Sequence, residues 1–131
     1  MASYTTDTFF NCRIQVRQNR VGYRFSIDAV LLACQAAPRS GDKVIDLGAG
    51  CGIISLIMAY RRPDITVTAV EVQEELVQLA ISNVKNNHLQ DRITVLGADM
   101  KAIKSDVTAG PVDLVVCNPP YRRPGSGRIN P

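Results

Sequence analysis

The alternation of apolar and polar positions divides the centre of the chain into strands and helices. Residues 43–47 form a short apolar run that stops at Gly48, the mark of a first strand. Residues 53–60 are mostly apolar and close on Arg61, Arg62 and Pro63, which predicts a buried helix. Residues 66–71 are β-branched and alternate, a second strand. From 73 to 87, Leu76, Ala80 and Val84 fall on one face with Val77 and Ile81 beside them, an amphipathic helix. A third strand is expected over 93–96, a short helix over 100–105 and a fourth strand over 112–117. Upstream, Ser26 or Asp28 is placed to cap a helix running to Ala36. Strands alternating with helices in this order predict an α/β fold with a parallel sheet and right-handed crossovers.

A chain of 131 residues with 46% apolar content fits one domain with a real core. Within it, residues 1–40 read as a basic helical segment, 41–121 as the core and 122–131 as a flexible Arg/Gly/Pro tail. No run resembles a transmembrane span or signal peptide. Cys12, Cys34, Cys51 and Cys117 form no CxxC pair and have no histidine at zinc spacing, so no metal site is expected. They read as reduced thiols of a cytoplasmic protein, with Cys117 inside an apolar run. His88, the single histidine, reads as a solvated residue at a helix C-terminus.

The net charge of +3 conceals a pattern. Residues 1–40 carry five Arg and two acids, 41–117 carry seven Lys/Arg and ten acids, and 118–131 carry three Arg and no acid. Arg13, Arg17, Arg20, Arg24, Arg122, Arg123 and Arg128 can meet RNA phosphates if the fold gathers them. The alternative is ordinary solubilising charge.

Two motifs carry chemistry. Asn118-Pro119-Pro120-Tyr121 follows the fourth apolar run directly. Neither proline has an N–H, so this turn presents carbonyl oxygens and the Asn118 amide, then an aromatic ring. Acceptors beside a flat ring suit a planar substrate bearing an NH₂ group, although Asn-Pro and Pro-Pro are also common loop punctuation. The second motif, Asp46 through Gly48, Gly50 and Gly52, joins the first strand to the first helix. Glycines there let a ligand approach the backbone, at the strand ends where open parallel sheets bind ligands. The dinucleotide fingerprint would need glycine at position 53, which is Ile53, and no GK[ST] follows for a phosphate loop. Glu71 ends the second strand, where an acid can accept from both hydroxyls of a ribose. Asp99, after the third strand, can accept from an exocyclic amine. Asp46 can hold the loop backbone or face a cationic ligand group.

Taken together, residues 46–52, Glu71, Asp99 and 118–121 resemble the successive motifs of class I S-adenosylmethionine-dependent methyltransferases. The Asn-Pro-Pro-Tyr tetrapeptide is similar to that of enzymes methylating amino groups on planar systems: adenine N6, guanine N2 and the glutamine amide. Residues 18–33 resemble the N-terminal segment of bacterial tRNA adenine-N6 methyltransferases that modify a valine tRNA. The resemblance implies a Rossmann-like parallel sheet, of which four strands are the N-terminal half of the usual seven. The fourth strand would then present an edge open to self-association. The resemblance also implies that Gly48, Ala49, Gly50 and Gly52 border the methionine part of S-adenosyl-L-methionine, with Asp46 at the head of the loop. It assigns the ribose to Glu71 with Val72 beside it, the cofactor adenine to Asp99 and Met100, and closure over the methionine end to Asp28. Asn118, Pro119, Pro120 and Tyr121 would hold the target base. The implied activity is methylation of an adenine N6 in RNA. Methylation of rRNA guanine or a protein glutamine, and a non-catalytic nucleic-acid-binding fragment, are the alternatives.

Overall fold

The computed structural model describes residues 3–22, 24–104, 108 and 110–118. Two strands, β1 (Tyr4–Phe9) and β2 (Ile14–Asn19), form an antiparallel hairpin. Helix α1 (Ile27–Gln35) follows, then β3 (Lys43–Leu47), α2 (Ile53–Arg61), β4 (Thr66–Glu71), α3 (Glu74–Asn86), β5 (Ile93–Gly97) and β6 (Leu114–Cys117). The last four strands form one parallel sheet in the order β5-β4-β3-β6.

The core lies between this sheet and α2. Val44, Val67, Ala69, Ile93 and Val116 line one face of the sheet and join the buried cluster. Every residue of α2 from Ile53 to Ala59 is buried, Ser55 included, as its mostly apolar run predicts. Ile53, Leu56 and Ile57 are among the largest fully buried side chains. Each such side chain contributes about 1.5–3 kcal/mol of burial. The opposite face is less covered: Ile45 and Val70 are buried, whereas Val115 is 53% exposed.

The first forty residues depart from the helical segment expected of them. Residues 4–19 form the hairpin, and among the described residues of this stretch only Ile27–Gln35 is helical. The reason is a period of two: Ile14, Val16 and Gln18 are buried, while Arg13, Gln15 and Arg17 are exposed. The hairpin turn uses Phe10, Asn11 and Cys12 with φ of 55°, 55° and 65°, so no glycine or proline announces it. Phe10 stacks on Tyr60 at the end of α2, ring centroids 4.6 Å apart. Gln18 is buried because its side chain is satisfied, donating to Asp7 Oδ2 at 2.6 Å and accepting from the Phe25 N–H at 3.1 Å. Other departures are small. Ser26 is the N-cap of α1 but makes no side-chain cap bond. The short helix after β5 is a single 3-10 turn, Met100–Ala102. Strand β6 begins at Leu114, preceded by Asp113, whose carboxylate accepts from the Lys43 N–H at 2.8 Å. Cys117, expected within a buried run, is exposed, and all four cysteines are free. His88 is exposed, just beyond the C-cap of α3, with φ of 58°.

Candidate cofactor site

Parallel pairing decides where the motifs emerge. Leu47 lies opposite Val70 and Cys117, and Glu71 lies opposite Gly97. The glycine loop, Glu71, the segment carrying Asp99 and Asn118 therefore leave the sheet at the same edge. Strand order runs β3, β4, β5 to one side, and β6 lies on the other side of β3. The order reverses between β3 and β6, which makes their C-terminal ends a topological switch point, the usual ligand crevice of open α/β sheets. A groove of about 200 Å³ lined by Lys43, Thr66, Thr68 and Arg92 lies toward the strands' opposite ends.

The loop is fixed by bonds to β4. Ala49 donates to the Val70 carbonyl at 2.9 Å, and the Gly50 N–H donates to Glu71 Oε1 at 2.9 Å. The other carboxylate oxygen of Glu71, Oε2, accepts from the Gln73 N–H at 2.9 Å. Glu71 is only 6% exposed. With one backbone donor on each oxygen, its carboxylate keeps lone pairs for two further donors such as ribose hydroxyls. The role foreseen for Asp46, holding the loop backbone, thus belongs to Glu71.

Asp46 sits beneath the loop, wholly buried. Its Oδ2 accepts from the Ser55 hydroxyl at 2.8 Å, whereas Oδ1 has no hydrogen-bond partner. Burial pushes its carboxyl up to about 7; the Ser55 hydroxyl and N–H pull it down, and the Glu71 charge pushes it up. A buried carboxylate with one unmatched oxygen suits a cationic ligand, which would favour its charged form. Gly48 (φ 69°) leaves open space: a Cβ there would meet nothing within 4 Å. Gly52 (φ 93°) is the N-cap of α2 and lies over α3, where a Cβ would come 3.6 Å from the Ala80 Cβ. Neighbouring Cys51 is fully buried, and burial pushes its thiol up to about 12.

The remaining candidates are spread around this loop. Asp99 is exposed, and its side chain accepts from the Lys101 N–H at 3.0 Å, capping the 3-10 turn. Val72 and Met100 are 67% and 47% exposed, large apolar side chains beside two adjacent strand ends. Asp28 is exposed in the first turn of α1, an element packed on α2 and not part of the loop. Asn118 is half-buried directly after β6. Pro119, Pro120, Tyr121, Arg122, Arg123 and Arg128 lie outside the described residues. Among the described residues, no group of His, Cys, Asp or Glu is arranged to hold a metal ion, and no helix is long and apolar enough to cross a membrane.

Residues 25–129 match the family model for the methyltransferase small domain. The chain belongs to that family. The methyltransferase small domain seen here is 32% identical over 106 residues to the tRNA1(Val) (adenine(37)-N6)-methyltransferase of Dyadobacter fermentans, covering 81% of this chain and 43% of the relative. It is 33% identical over 109 residues to the enzyme of the same description from Pedobacter heparinus, covering 83% and 45%. The chain thus spans a little under half the length of these curated relatives. It also resembles a SAM-dependent methyltransferase from Thiobacillus denitrificans in complex with S-adenosyl-L-homocysteine, with a TM-score of 0.59 and 19% identity over 71% of this chain and 36% of that one. At that identity the likeness carries the fold, a parallel sheet of the class I methyltransferase type.

Three residues of this methyltransferase small domain escaped sequence reasoning. Ser55 and Asn83 are buried polar residues on helices, and Asn87 is the C-cap of α3. The available signal was their position: Asn83 and Asn87 continue the stripe begun by Leu76 and Ala80, where an apolar residue is expected. Asn83 Oδ1 accepts from the Arg17 N–H at 2.9 Å, and its Nδ2 donates to the carbonyls of Arg17 at 2.8 Å and Cys51 at 2.9 Å.

Proposed function

We propose that this chain forms the cofactor-binding part of a cytoplasmic S-adenosyl-L-methionine-dependent N-methyltransferase acting on the N6 amine of an adenine in tRNA. The observation that carries this reading is the convergence of Glu71, the buried Asp46 and Asn118 on one glycine loop at the β3/β6 switch point. The naming of the curated relatives supports adenine in tRNA as the acceptor.

Bound S-adenosyl-L-methionine supplies a methyl group activated on a sulfonium. The chain's own residues bind and orient. Glu71 accepts from the ribose hydroxyls while its backbone bonds keep the loop in place. Asp46 Oδ1 provides negative charge beneath the cationic end of the ligand. Val72 and Met100 offer apolar surface to the adenine, with Asp99 near its exocyclic amine.

An aromatic amine is a poor nucleophile because its lone pair is delocalised into the ring. The Asn118 side-chain oxygen, with the Pro119 carbonyl of the same motif, accepts hydrogen bonds from that amine. These acceptors draw the nitrogen toward tetrahedral geometry and stabilise the positive charge it gains, an electrostatic contribution fixed before reaction. Tyr121 stacks on the extruded base, which contributes about 1–3 kcal/mol. Pro119, Pro120 and Tyr121 enter on the family resemblance of their motif.

The hairpin supports RNA as the partner. Arg13, Arg17, Arg20 and Arg24 are all exposed on it or just after it. Arg17 lies over the Tyr4 ring at 5.7 Å, and Arg24 donates to the Asn19 carbonyl at 2.7 Å. The backbone of Arg17 shares one carboxamide with Cys51, so this basic strand runs beside the loop.

The test is methyl transfer from labelled S-adenosyl-L-methionine to unmodified tRNA, followed by nucleoside analysis. N6-methyladenosine should form, and Asn118→Ala should suppress turnover far more than cofactor affinity. Methyl label found in guanine or in protein, or equal losses in turnover and affinity, would contradict the assignment.

A further inference from the structure

We propose that Asn83 is a positioning residue for the cofactor loop: its carboxamide holds the Cys51 carbonyl and the backbone of Arg17 at once, so the docked hairpin sets the loop's conformation. The inference rests on the reading of residues 48–52 as the cofactor's cradle.

The geometry begins with a match of two repeats. Residues four apart on a helix advance about 6 Å, and residues two apart on a strand about 6.6 Å along one edge. Asn83 on α3 and Asn87 at its C-cap therefore meet Arg17 and Gln15 on the edge of β2 left unpaired by β1. Each carboxamide imitates a strand residue. Asn87 Oδ1 accepts from the Gln15 N–H at 2.9 Å, and its Nδ2 donates to the Gln15 carbonyl at 2.7 Å. Asn83 does the same for Arg17, at 2.9 and 2.8 Å.

The two differ in their last bond. The second donation of Asn87 returns to α3, to the Asn83 carbonyl at 2.7 Å. That of Asn83 leaves the helix for the Cys51 carbonyl. Cys51 and Gly52 share a peptide whose other end, the Gly52 N–H, donates to the Ala49 carbonyl at 2.9 Å. Asn83 thus fixes one end of the peptide between Cys51 and Gly52 (φ 93°), and glycine is the residue that resists rotation least. Asn83 is 1% exposed, so the bond is shielded from bulk water. Asn87, with the same chemistry and no loop contact, is the internal control.

The experiment compares Asn83→Asp with Asn87→Asp in the full chain. Each substitution keeps the acceptor for the strand N–H and replaces both donated bonds by a repelling oxygen. The first readout is alkylation of Cys51 by iodoacetamide under native conditions, with exposed Cys12, Cys34 and Cys117 as references. The second is the affinity for S-adenosylhomocysteine. Asn83→Asp should speed Cys51 labelling and weaken binding at least tenfold each, while Asn87→Asp changes either less than twofold. Equal behaviour of the two variants in both readouts would reduce Asn83 to a staple for the hairpin and overturn the proposal. Should the Asp variants fail to fold, Asn83→Ala against Asn87→Ala gives the same comparison. A split in Cys51 labelling with no ligand binding in any protein would uphold the positioning of the loop and refute its reading as the cofactor cradle.

Discussion

Replacing Asp46 by Asn should make the protein more stable at alkaline pH than at acid pH relative to the parent. Asp46 is wholly buried, and its carboxyl is pushed from 3.8 to about 7. Between those values the folded protein keeps a proton that the unfolded chain releases. Stability from this group is therefore fully present below pH 3.8 and is lost as pH rises through 7. At about 1.4 kcal/mol per pH unit, the whole displacement corresponds to about 4 kcal/mol, of which about 3 falls between pH 4.5 and 8. The asparagine carboxamide stays neutral, and its oxygen can still accept from Ser55. Urea unfolding of both proteins at several pH values measures the difference directly. The stability of Asp46→Asn minus that of the parent should climb by about 3 kcal/mol across that window. A difference that is flat, or that shrinks as pH rises, would refute a neutral buried Asp46 in the ligand-free protein.

Two further outcomes follow from packing and charge. Leu56→Ala, at a fully buried position of α2, should cost about 2–5 kcal/mol in urea unfolding, because the sheet cannot close on the cavity. Arg13→Gln combined with Arg17→Gln should weaken RNA binding and lower its salt dependence by about 1–2 in the log–log slope, whereas an unchanged slope would remove these arginines from the RNA surface.

The central sheet was legible because its strands are short apolar runs separated by helical patterns, several of them ending on punctuation. Gly48 closes β3 and Pro63 follows α2. The hairpin was not, for reasons that are local. Strand β1 (Tyr4–Phe9) is apolar only at its ends, β2 alternates only at Ile14 and Val16, and the turn through Phe10, Asn11 and Cys12 adopts positive φ with neither glycine nor proline. The glycine loop and its acids could be read because glycine spacing and strand-end carboxylates have local meaning. Their division of labour could not. Glu71 holds the loop, and Asp46 is held by Ser55, because of contacts between residues distant in the chain. Asn83 is the sharpest case: in sequence it interrupts an apolar stripe, and only the fold brings the docked hairpin and the glycine loop to it to supply the backbone groups that satisfy it.

The central claim, that Glu71 and the glycine loop hold S-adenosyl-L-methionine, is tested most directly by calorimetric titration with S-adenosylhomocysteine. The parent chain should bind at one site. Glu71→Ala should weaken that binding at least a hundredfold, the loss of about 2.7 kcal/mol or more. Glu71→Gln, which retains one acceptor for the loop N–H, should still lose most of the affinity while keeping the fold. Undiminished binding by either variant, or no binding by the folded parent chain, would contradict the account.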